Sequence, residues 1–207
     1  CTNNESQCLR ESYNVLNEAA DRLYGAYNVP AEADDEAEDI EASIAAEIAT
    51  LKSSSQRRFI QAKTKCNNVL FIRTNDPKVD PNGLATEILE DIRRTRKANC
   101  RYIQRFIPVV STFKATEPEK FESIFRQIFG KYASKSIRSF SVMVKVRNNT
   151  GFNSETALRG QMVDIIRDER PNWLLNHNEP NTMVFVNITQ RSGCVSILDD
   201  FYQNSEY

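Results

Sequence analysis

The sequence lacks the glycine-rich loops with which many enzymes hold a phosphate or a nucleotide cofactor. Its 207 residues contain six glycines. Neither the G-x-G-x-x-G pattern nor the G-x-x-x-x-G-K-[ST] pattern occurs, and both depend on glycine because it lets the backbone approach a phosphate closely. The run Arg191-Ser-Gly193-Cys194 is too poor in glycine for the pyrophosphate-binding loop of an acetyl-CoA enzyme. We therefore expect no cofactor of these kinds.

Histidine and paired cysteines are also scarce. The single histidine, His177, stands between two asparagines and is expected in a surface turn rather than as a catalytic base. No C-x-x-C pair occurs, and the five cysteines are scattered: Cys1, Cys8, Cys66, Cys100 and Cys194. Free thiols of this kind are typical of a reducing, intracellular compartment rather than of a disulfide framework or a zinc site. The sequence therefore predicts no catalytic residues and no metal.

Long apolar runs are absent as well. No stretch approaches the roughly 18 apolar residues that a transmembrane helix needs. No charged segment followed by an apolar one marks a secretory leader. We therefore expect no membrane partner.

The charged residues are unevenly distributed, although the formal net charge is only −1. Residues 31–50 contain eight Asp or Glu and no Lys or Arg, whereas residues 51–114 contain fourteen Lys or Arg against five Asp or Glu. The first range predicts a solvated acidic loop, although Ile40, Ile44 and Ile48 have the spacing of a short helix. The second range favours a polyanionic partner, or is an ordinary mixed surface.

Residues 1–110 show the pattern helix, strand, strand, helix, strand. Asn4 with Gln7 predicts a capped helix start, and Asp80 with Pro81 predicts another. The predicted segments are a helix from Asn4 to Gly25, strands over 57–63 and 69–73, a helix from Asp80 to about Lys97, and a strand over Tyr102–Val110. This order matches a ferredoxin-like domain whose first strand is reduced to a stub at Cys1-Thr2.

Residues 111–207 predict an α/β domain, because helices alternate with strands. A Thr116-x-x-Glu119 capping box predicts a helix that Gly130 ends. Residues 139–147 alternate strictly, with Phe140, Val142, Val144 and Val146 on one face and Ser141, Met143, Lys145 and Arg147 on the other. The remaining predicted segments are a helix capped by Asn153 or Ser154 and ended by Pro171, and strands Met183–Thr189 and Cys194–Leu198 around a turn at 190–193.

Two cations on one strand give the sharpest candidate binding site. Lys145 and Arg147 are two residues apart, so both point from the same face and could meet successive phosphates, while Asn148 and Asn149 could pair with base edges. The full candidate set is Arg105, Lys114, Lys145, Arg147, Asn148 and Asn149, together with the basic helix end Arg93, Arg94, Arg96 and Lys97. The plain alternative is a solvated sheet face whose cations keep an edge soluble.

Several blocks of the chain resemble a known family. The blocks are Arg105-x-x-Pro108, Thr112-x-Lys114-Ala115, Lys145-Val-Arg147-Asn148-Asn149, and the closing run Pro180, Val184-Phe-Val-Asn-Ile188 and Val195-Ser-Ile197. In this order they resemble THUMP domains, which are RNA-binding modules of tRNA-modifying proteins. Leu16-Asn17-Glu18 and the run from Asn67 to Thr74 resemble the THUMP-containing adaptor family of eukaryotic tRNA cytidine acetylation.

The resemblance implies a ferredoxin-like domain over 1–110 and a THUMP domain over 111–207. It implies a tRNA-binding adaptor that is not itself an enzyme and that presents tRNA to a separate RNA cytidine acetyltransferase, so that N4-acetylcytidine forms in the tRNA. The candidate residues of the second domain would then face the single-stranded 3′ end of the acceptor stem. The expected location is the nucleus, the nucleolus or the cytoplasm.

Three other interpretations remain open at the level of sequence. The chain could be the RNA-binding part of a THUMP-containing methyltransferase or sulfur-insertion enzyme, whose catalytic domain it does not contain. It could be a protein-interaction module that acts through the acidic loop. An RRM would share a ferredoxin-like sheet, but the aromatic strand with which an RRM stacks bases is missing.

Overall fold

The computed structural model describes residues 4–27, 57–96, 100–152 and 154–203. The chain divides into two compact units, Cys1–Gln104 and Arg105–Tyr207. Helices and strands alternate, which confirms the α/β class. Four predictions fall outside the described residues: the strand stub at Cys1-Thr2, the acidic loop with its isoleucine helix, the cation Lys97 and the alternative cap Asn153. The domain boundary predicted between residues 110 and 111 stays a prediction.

The described part of the first unit contains two helices and one antiparallel pair of strands. Its elements are α1 Glu5–Tyr24, β1 Phe59–Ala62, β2 Phe71–Thr74 and α2 Pro81–Thr95. Both predicted caps are confirmed, since Asn4 accepts a hydrogen bond from the Gln7 N–H and Asp80 accepts one from the Gly83 N–H at 2.8 Å. Phe59 pairs with Thr74 in the strand register.

A buried arginine holds the first unit together. The Arg58 side chain is 2% exposed; its guanidinium lies 2.7 Å from Asp21 Oδ1 and 3.3 Å from Asp76 Oδ2. It also lies 5.2 Å from the centre of the Tyr27 ring. Arg58 thereby joins the end of α1 to the loop that follows β2. Sequence reasoning treated Arg57 and Arg58 alike, as parts of a basic strand, and missed this role.

The strand predicted over Tyr102–Val110 is wrong. The carboxylate of Glu11 accepts hydrogen bonds from the backbone N–H groups of Arg101, Tyr102 and Ile103, the last two at 2.9 and 3.0 Å. Those donors are therefore not available to a neighbouring strand, and the next strand begins only at Ser111. The described part of the first unit thus has two of the strands that a ferredoxin-like sheet requires, rather than three.

The elements of the second unit are β3 Ser111–Lys114, a 3₁₀ turn Pro118–Lys120, α3 Phe121–Tyr132, β4 Ser139–Arg147, α4 Glu155–Glu169, β5 Leu174–Leu175, β6 Thr182–Thr189 and β7 Ser192–Asp199. The strands form a five-stranded mixed sheet with the order β3-β7-β6-β4-β5. Strands β4 and β6 are parallel, and helix α4 connects them as a crossover. Strand β7 is antiparallel to both β6 and β3.

Helices α3 and α4 cover one face of this sheet. Three phenylalanines recur every four residues along α3, so they form one apolar stripe. Phe121 stacks on Phe125 with ring centres 5.5 Å apart, and Phe125 stacks on Phe129 at 5.9 Å. Trp173 meets Phe129 edge-on at 5.6 Å. The predicted inward face of β4 is confirmed, since Phe140, Val142 and Val144 are buried in the same core.

Two local predictions in the second unit are wrong. Thr116 does not cap α3, because Pro118 begins a 3₁₀ turn instead and α3 starts at Phe121 without a side-chain cap. Gly130 does not end α3, which continues to Tyr132. The cap of α4 is confirmed as Ser154, whose hydroxyl accepts a hydrogen bond from the Ala157 N–H at 3.1 Å.

The hairpin between β6 and β7 is tighter than predicted. Only Gln190 and Arg191 lie between the strands, and Gly193 already belongs to β7. A Cβ atom on Gly193 would lie 2.1 Å from Cζ of Phe113. The ring of Phe113 therefore occupies the space over Gly193, and only glycine fits opposite it in the register.

Candidate nucleic-acid interface

The strand register brings the predicted cations of β3 and β4 onto one face. Residues that are directly opposite in paired strands point to the same side of a sheet. Two rows therefore cross β4, β6, β7 and β3 on the face away from the helices. The first row is Lys145, Asn187, Cys194 and Thr112; the second is Arg147, Thr189, Ser192 and Lys114. We call these eight residues the polar face.

The same side of the sheet has a second, covered half. Met183 and Leu198 are buried there beneath Phe201, with Ile107 and Met143 packed against them. The polar face begins where this cover ends. Its cations Lys114, Lys145 and Arg147 are exposed, and its central residues Asn187 and Cys194 are half-buried. The rows are about 7 Å apart along the strands, and β3 and β4 are about 14 Å apart across the sheet.

Lys145 and Arg147 differ in their surroundings. The Nζ atom of Lys145 lies 3.8 Å from Glu155 Oε2, in the first turn of α4, and both side chains are partly exposed. The other oxygen of Glu155 accepts the Val146 N–H at 2.8 Å, which satisfies the open edge of β4. The structure shows no ion pair to the Arg147 guanidinium within the described residues, so Arg147 presents a full charge to solvent.

Lys114 is the last residue of β3. It is paired with Ser192 at the turn end of the polar face. The nearby Glu117 forms an ion pair with Lys120. The hydrogen bond from Lys120, with a smaller contribution from the charge of Lys114, lowers the pKa of Glu117. Because Glu117 is paired with Lys120, Glu117 alone does not neutralise Lys114.

Asn149 supports the loop after β4 and does not point its amide at a ligand. Its Nδ2 group donates to the carbonyls of Ala115 and Gln190, the former at 3.1 Å. Its Oδ1 atom accepts the N–H groups of Gly151 and Phe152, both at 2.9 Å. Two donors and two acceptor sites are the full capacity of an amide. We therefore assign Asn149 to the architecture of the loop rather than to contact with bases.

The remaining predicted residues lie outside the two rows of the polar face. Asn148 is exposed beside the polar face and has a positive φ of 52°, which asparagine tolerates better than most residues. Ile107, two residues after Arg105, packs on the covered half of this side of the sheet. The part of Arg105 in the binding surface stays a prediction. Arg93, Arg94 and Arg96 are exposed at the end of α2 in the first unit, where Arg94 pairs with Asp91 at 2.6 Å.

Sequence reasoning missed the centre of the polar face. Asn187 and Thr189 are the half-buried positions of β6, on either side of the buried Ile188. Arg191, exposed in the hairpin turn beside the second row, was also missed as a cation. The alternation within β6 could have identified Asn187 and Thr189. Their position between the two cationic strands depends on the strand order, which the sequence pattern does not contain.

The polar face has side chains of the kinds that contact nucleic acids. Cations stand at its two outer strands and uncharged polar side chains lie between them, an arrangement suited to phosphates at the sides and bases in the middle. Burial raises the pKa of the Cys194 thiol to about 11, so this cysteine is protonated at neutral pH.

Among the described residues no group of three or more His, Cys, Asp or Glu is placed to hold a metal. No helix in the described ranges is long and apolar enough to cross a membrane.

Comparison with known proteins identifies relatives over the full length of the chain. It is 30% identical over 218 aligned positions to THUMP domain-containing protein 1 of Bos taurus, and 30% identical to the protein of that name in Homo sapiens. Each match covers all of this chain and 60% of the relative. The chain thus spans less than two thirds of the length of these curated relatives. No family model matches it.

Solved structures give weaker matches. The crystal structure of TrmN from Thermus thermophilus matches with a TM-score of 0.46 and 9% identity, over 89% of this chain and 41% of that one. A 4-thiouridine synthetase in complex with RNA and ATP matches with a TM-score of 0.45 and 12% identity, over 84% and 41%. Likeness at this level carries no argument about function.

Proposed function

We propose that this chain is a member of the THUMP family and acts as a tRNA-binding adaptor. The polar face of its second unit holds the single-stranded 3′ end of the tRNA, and the chain presents that tRNA to a separate RNA cytidine acetyltransferase. The resulting product is N4-acetylcytidine in the tRNA. The chain itself catalyses no step in this proposal. The similarity to THUMP domain-containing protein 1 supports the family, and the sequence blocks described above support the acetylation pathway.

The observation that carries RNA binding is the convergence of Lys114, Lys145 and Arg147 on one open half of a sheet. Lys114 is far from Lys145 and Arg147 in sequence and joins them on this face only through the strand register. A solvated face that merely keeps a sheet soluble would not require a polar, half-buried centre such as Asn187. Single-stranded RNA suits such a face because its unstacked bases can reach polar side chains, whereas the deep major groove of a closed A-form helix cannot be read.

The first test replaces Lys145 and Arg147 together by alanine in the full chain. Both side chains point to solvent, so the fold should persist while tRNA affinity falls strongly. If both contact phosphates, the slope of log affinity against log salt should decrease by roughly 1.4, about 0.7 for each contact. Binding is measured by fluorescence anisotropy across a salt series, with circular dichroism as the check on folding.

A matched control removes the same charge from the opposite side of the sheet. Arg159 and Arg167 are exposed on α4, which covers the apolar face. Replacing both by alanine should leave affinity and salt slope nearly unchanged.

Trimming the tRNA 3′ end should weaken binding to the wild type and add little to the Lys145/Arg147 variant. Equal wild-type affinity for trimmed and intact tRNA would argue for a different site, with the basic end of α2 as the next candidate.

A second experiment tests the adaptor role itself. The pure chain is incubated with tRNA, acetyl-CoA and ATP, and separately with tRNA and S-adenosylmethionine, and nucleosides are analysed by mass spectrometry. N4-acetylcytidine should form only after the acetyltransferase is added, and the Lys145/Arg147 variant should stimulate it less. This stimulation is a proximity effect, because the adaptor raises the local concentration of tRNA. Modification by the pure chain would contradict the adaptor role and favour an enzyme.

A further inference from the structure

Asn187 has an unusual side chain for the middle of a sheet. It lies in the first row of the polar face, between Lys145 on β4 and Cys194 on β7. Its Oδ1 atom is buried and accepts no hydrogen bond from any described residue. Neither of the residues beside it in the register, Lys145 and Cys194, donates a hydrogen bond to this oxygen.

A buried carbonyl oxygen without a donor destabilises a folded protein, because folding removes its water without replacing it. Most buried polar side-chain atoms have a partner, so each exception requires an explanation. A valine at this position of β6 would avoid the penalty and would fit a strand that already contains Val184 and Val186. Stability alone therefore does not account for an asparagine here.

The residues around Asn187 indicate which kind of ligand could form hydrogen bonds with its amide. Lys145 is one strand away, at about 4.8 Å, and the exposed Arg147 lies in the next row. Cations at this distance can fix the phosphates of a strand that passes over the sheet. A base of that strand then lies over the half-buried centre of the face. Rotation of the Asn187 amide about χ2 would present one donor and one acceptor side by side to that base.

We propose that Asn187 recognises a nucleobase of the bound strand, and that this base is an adenine. Adenine offers its N6 amino group as donor beside its N7 atom as acceptor, which is the pairing that an asparagine amide makes. The bound base supplies the donor that the oxygen lacks in the free protein. This inference rests on the proposed RNA-binding function and adds base selectivity to it.

The test compares the full chain with its Asn187→Val variant. Binding is measured to single-stranded oligo(A), oligo(C) and oligo(U) of equal length, and thermal unfolding is followed by circular dichroism. The wild type should prefer oligo(A), by at least about fivefold. The variant should lose this preference and yet unfold at a temperature higher by roughly 2–4 °C. A side chain with a merely structural role would not give lower affinity together with higher stability.

Gln161→Val is the matched control, because it replaces an exposed side-chain amide by the same apolar side chain on α4, which covers the opposite face of the sheet. It should leave the preference for oligo(A) in place. Asn187→Ala should also lose the preference, and it serves as the second variant if the valine does not fit.

Three outcomes separate this inference from the proposed function. If the Asn187 variants retain the preference while the Lys145/Arg147 variant loses affinity, the face binds RNA but Asn187 does not select a base. If both Asn187 variants unfold at lower temperature than the wild type, the amide is a structural group and the inference is overturned. If the wild type binds neither tRNA nor any oligonucleotide, the proposed function fails and this inference fails with it.

Discussion

Arginine has opposite environments in the two units of this protein. In the first unit, Arg58 is buried, and Asp21 and Asp76 hold its charge within 3.3 Å. In the second unit, Arg147 stands exposed at the end of β4. The sequence predicts a basic residue within a strand in both cases. The difference between them shows that a cation is buried and neutralised, or left exposed to solvent, according to whether the fold supplies carboxylates around it.

The largest effect in this comparison should come from Arg58→Ala. Its removal leaves the carboxylate of Asp76 buried without a counter-charge, and breaking a buried pair costs about 3–5 kcal/mol. The free energy of unfolding of the first unit, measured by urea denaturation, should fall by that amount. Arg57→Ala is the matched control, because Arg57 is its exposed neighbour and should change stability by less than about 0.5 kcal/mol. Equal effects of the two substitutions would contradict the structural role of Arg58.

A smaller, pH-dependent effect should come from Glu11→Gln. Burial acts to raise the pKa of Glu11, but the backbone N–H groups of Arg101, Tyr102 and Ile103 outweigh it, so the pKa is lowered from its ordinary value near 4.5. A carboxylate with a lowered folded pKa contributes stability above its unfolded pKa and loses that contribution as pH falls through the folded pKa. The wild type should therefore lose stability below about pH 4.5.

In the Glu11→Gln variant, the stability at neutral pH should be lower by about 1–2 kcal/mol, because hydrogen bonds to a charged acceptor are replaced by neutral ones. The loss on acidification should be correspondingly smaller. Urea denaturation of wild type and variant at pH 7 and at pH 3.5 checks both statements. A constant difference between the two proteins across this range would show that the charge of Glu11 has no part in holding the 101–103 segment.

Sequence patterns located most helices and strands but could not pair them. The caps at Asn4, Asp80 and Ser154 act locally, so their residue types were sufficient evidence. The strand predicted over Tyr102–Val110 does not form, because the carboxylate of Glu11, 91 residues before Tyr102, accepts hydrogen bonds from the backbone N–H groups of Tyr102 and Ile103. Contacts of that separation leave no periodic trace in the sequence.

The candidate site shows the same limit. Lys145 and Arg147 could be predicted because they alternate with Val144 and Val146 within a single strand. Asn187 joins them only because β6 is the neighbour of β4 in the sheet order. Asn149 looked like a ligand-binding amide, but its two donors and two acceptor sites are all used by backbone groups of the loop and its neighbours.

The smallest effect should come from Glu155→Gln. This substitution removes the carboxylate near Lys145, so the surroundings of Lys145 become more like those of Arg147. The glutamine side chain would still accept the Val146 N–H, so the edge of β4 stays satisfied, but the ion pair to Lys145 disappears. Exposed ion pairs contribute about 0.2–1 kcal/mol, so tRNA affinity should rise by about 1.5- to 5-fold. Stability should fall by up to about 1 kcal/mol, because an acidic side chain is lost from the first turn of a helix.

The matched control for Glu155 is Glu122→Gln. Glu122 also lies in the first turn of its helix and pairs with a cation, Arg126, but α3 covers the other face of the sheet. The Glu122→Gln substitution should leave tRNA affinity unchanged at moderate salt. Anisotropy titrations at low and high salt complete the test, because screening should remove the gain of the Glu155 variant. An equal gain from both variants would mean that only the net charge of the protein matters, and that Glu155 places no restraint on Lys145.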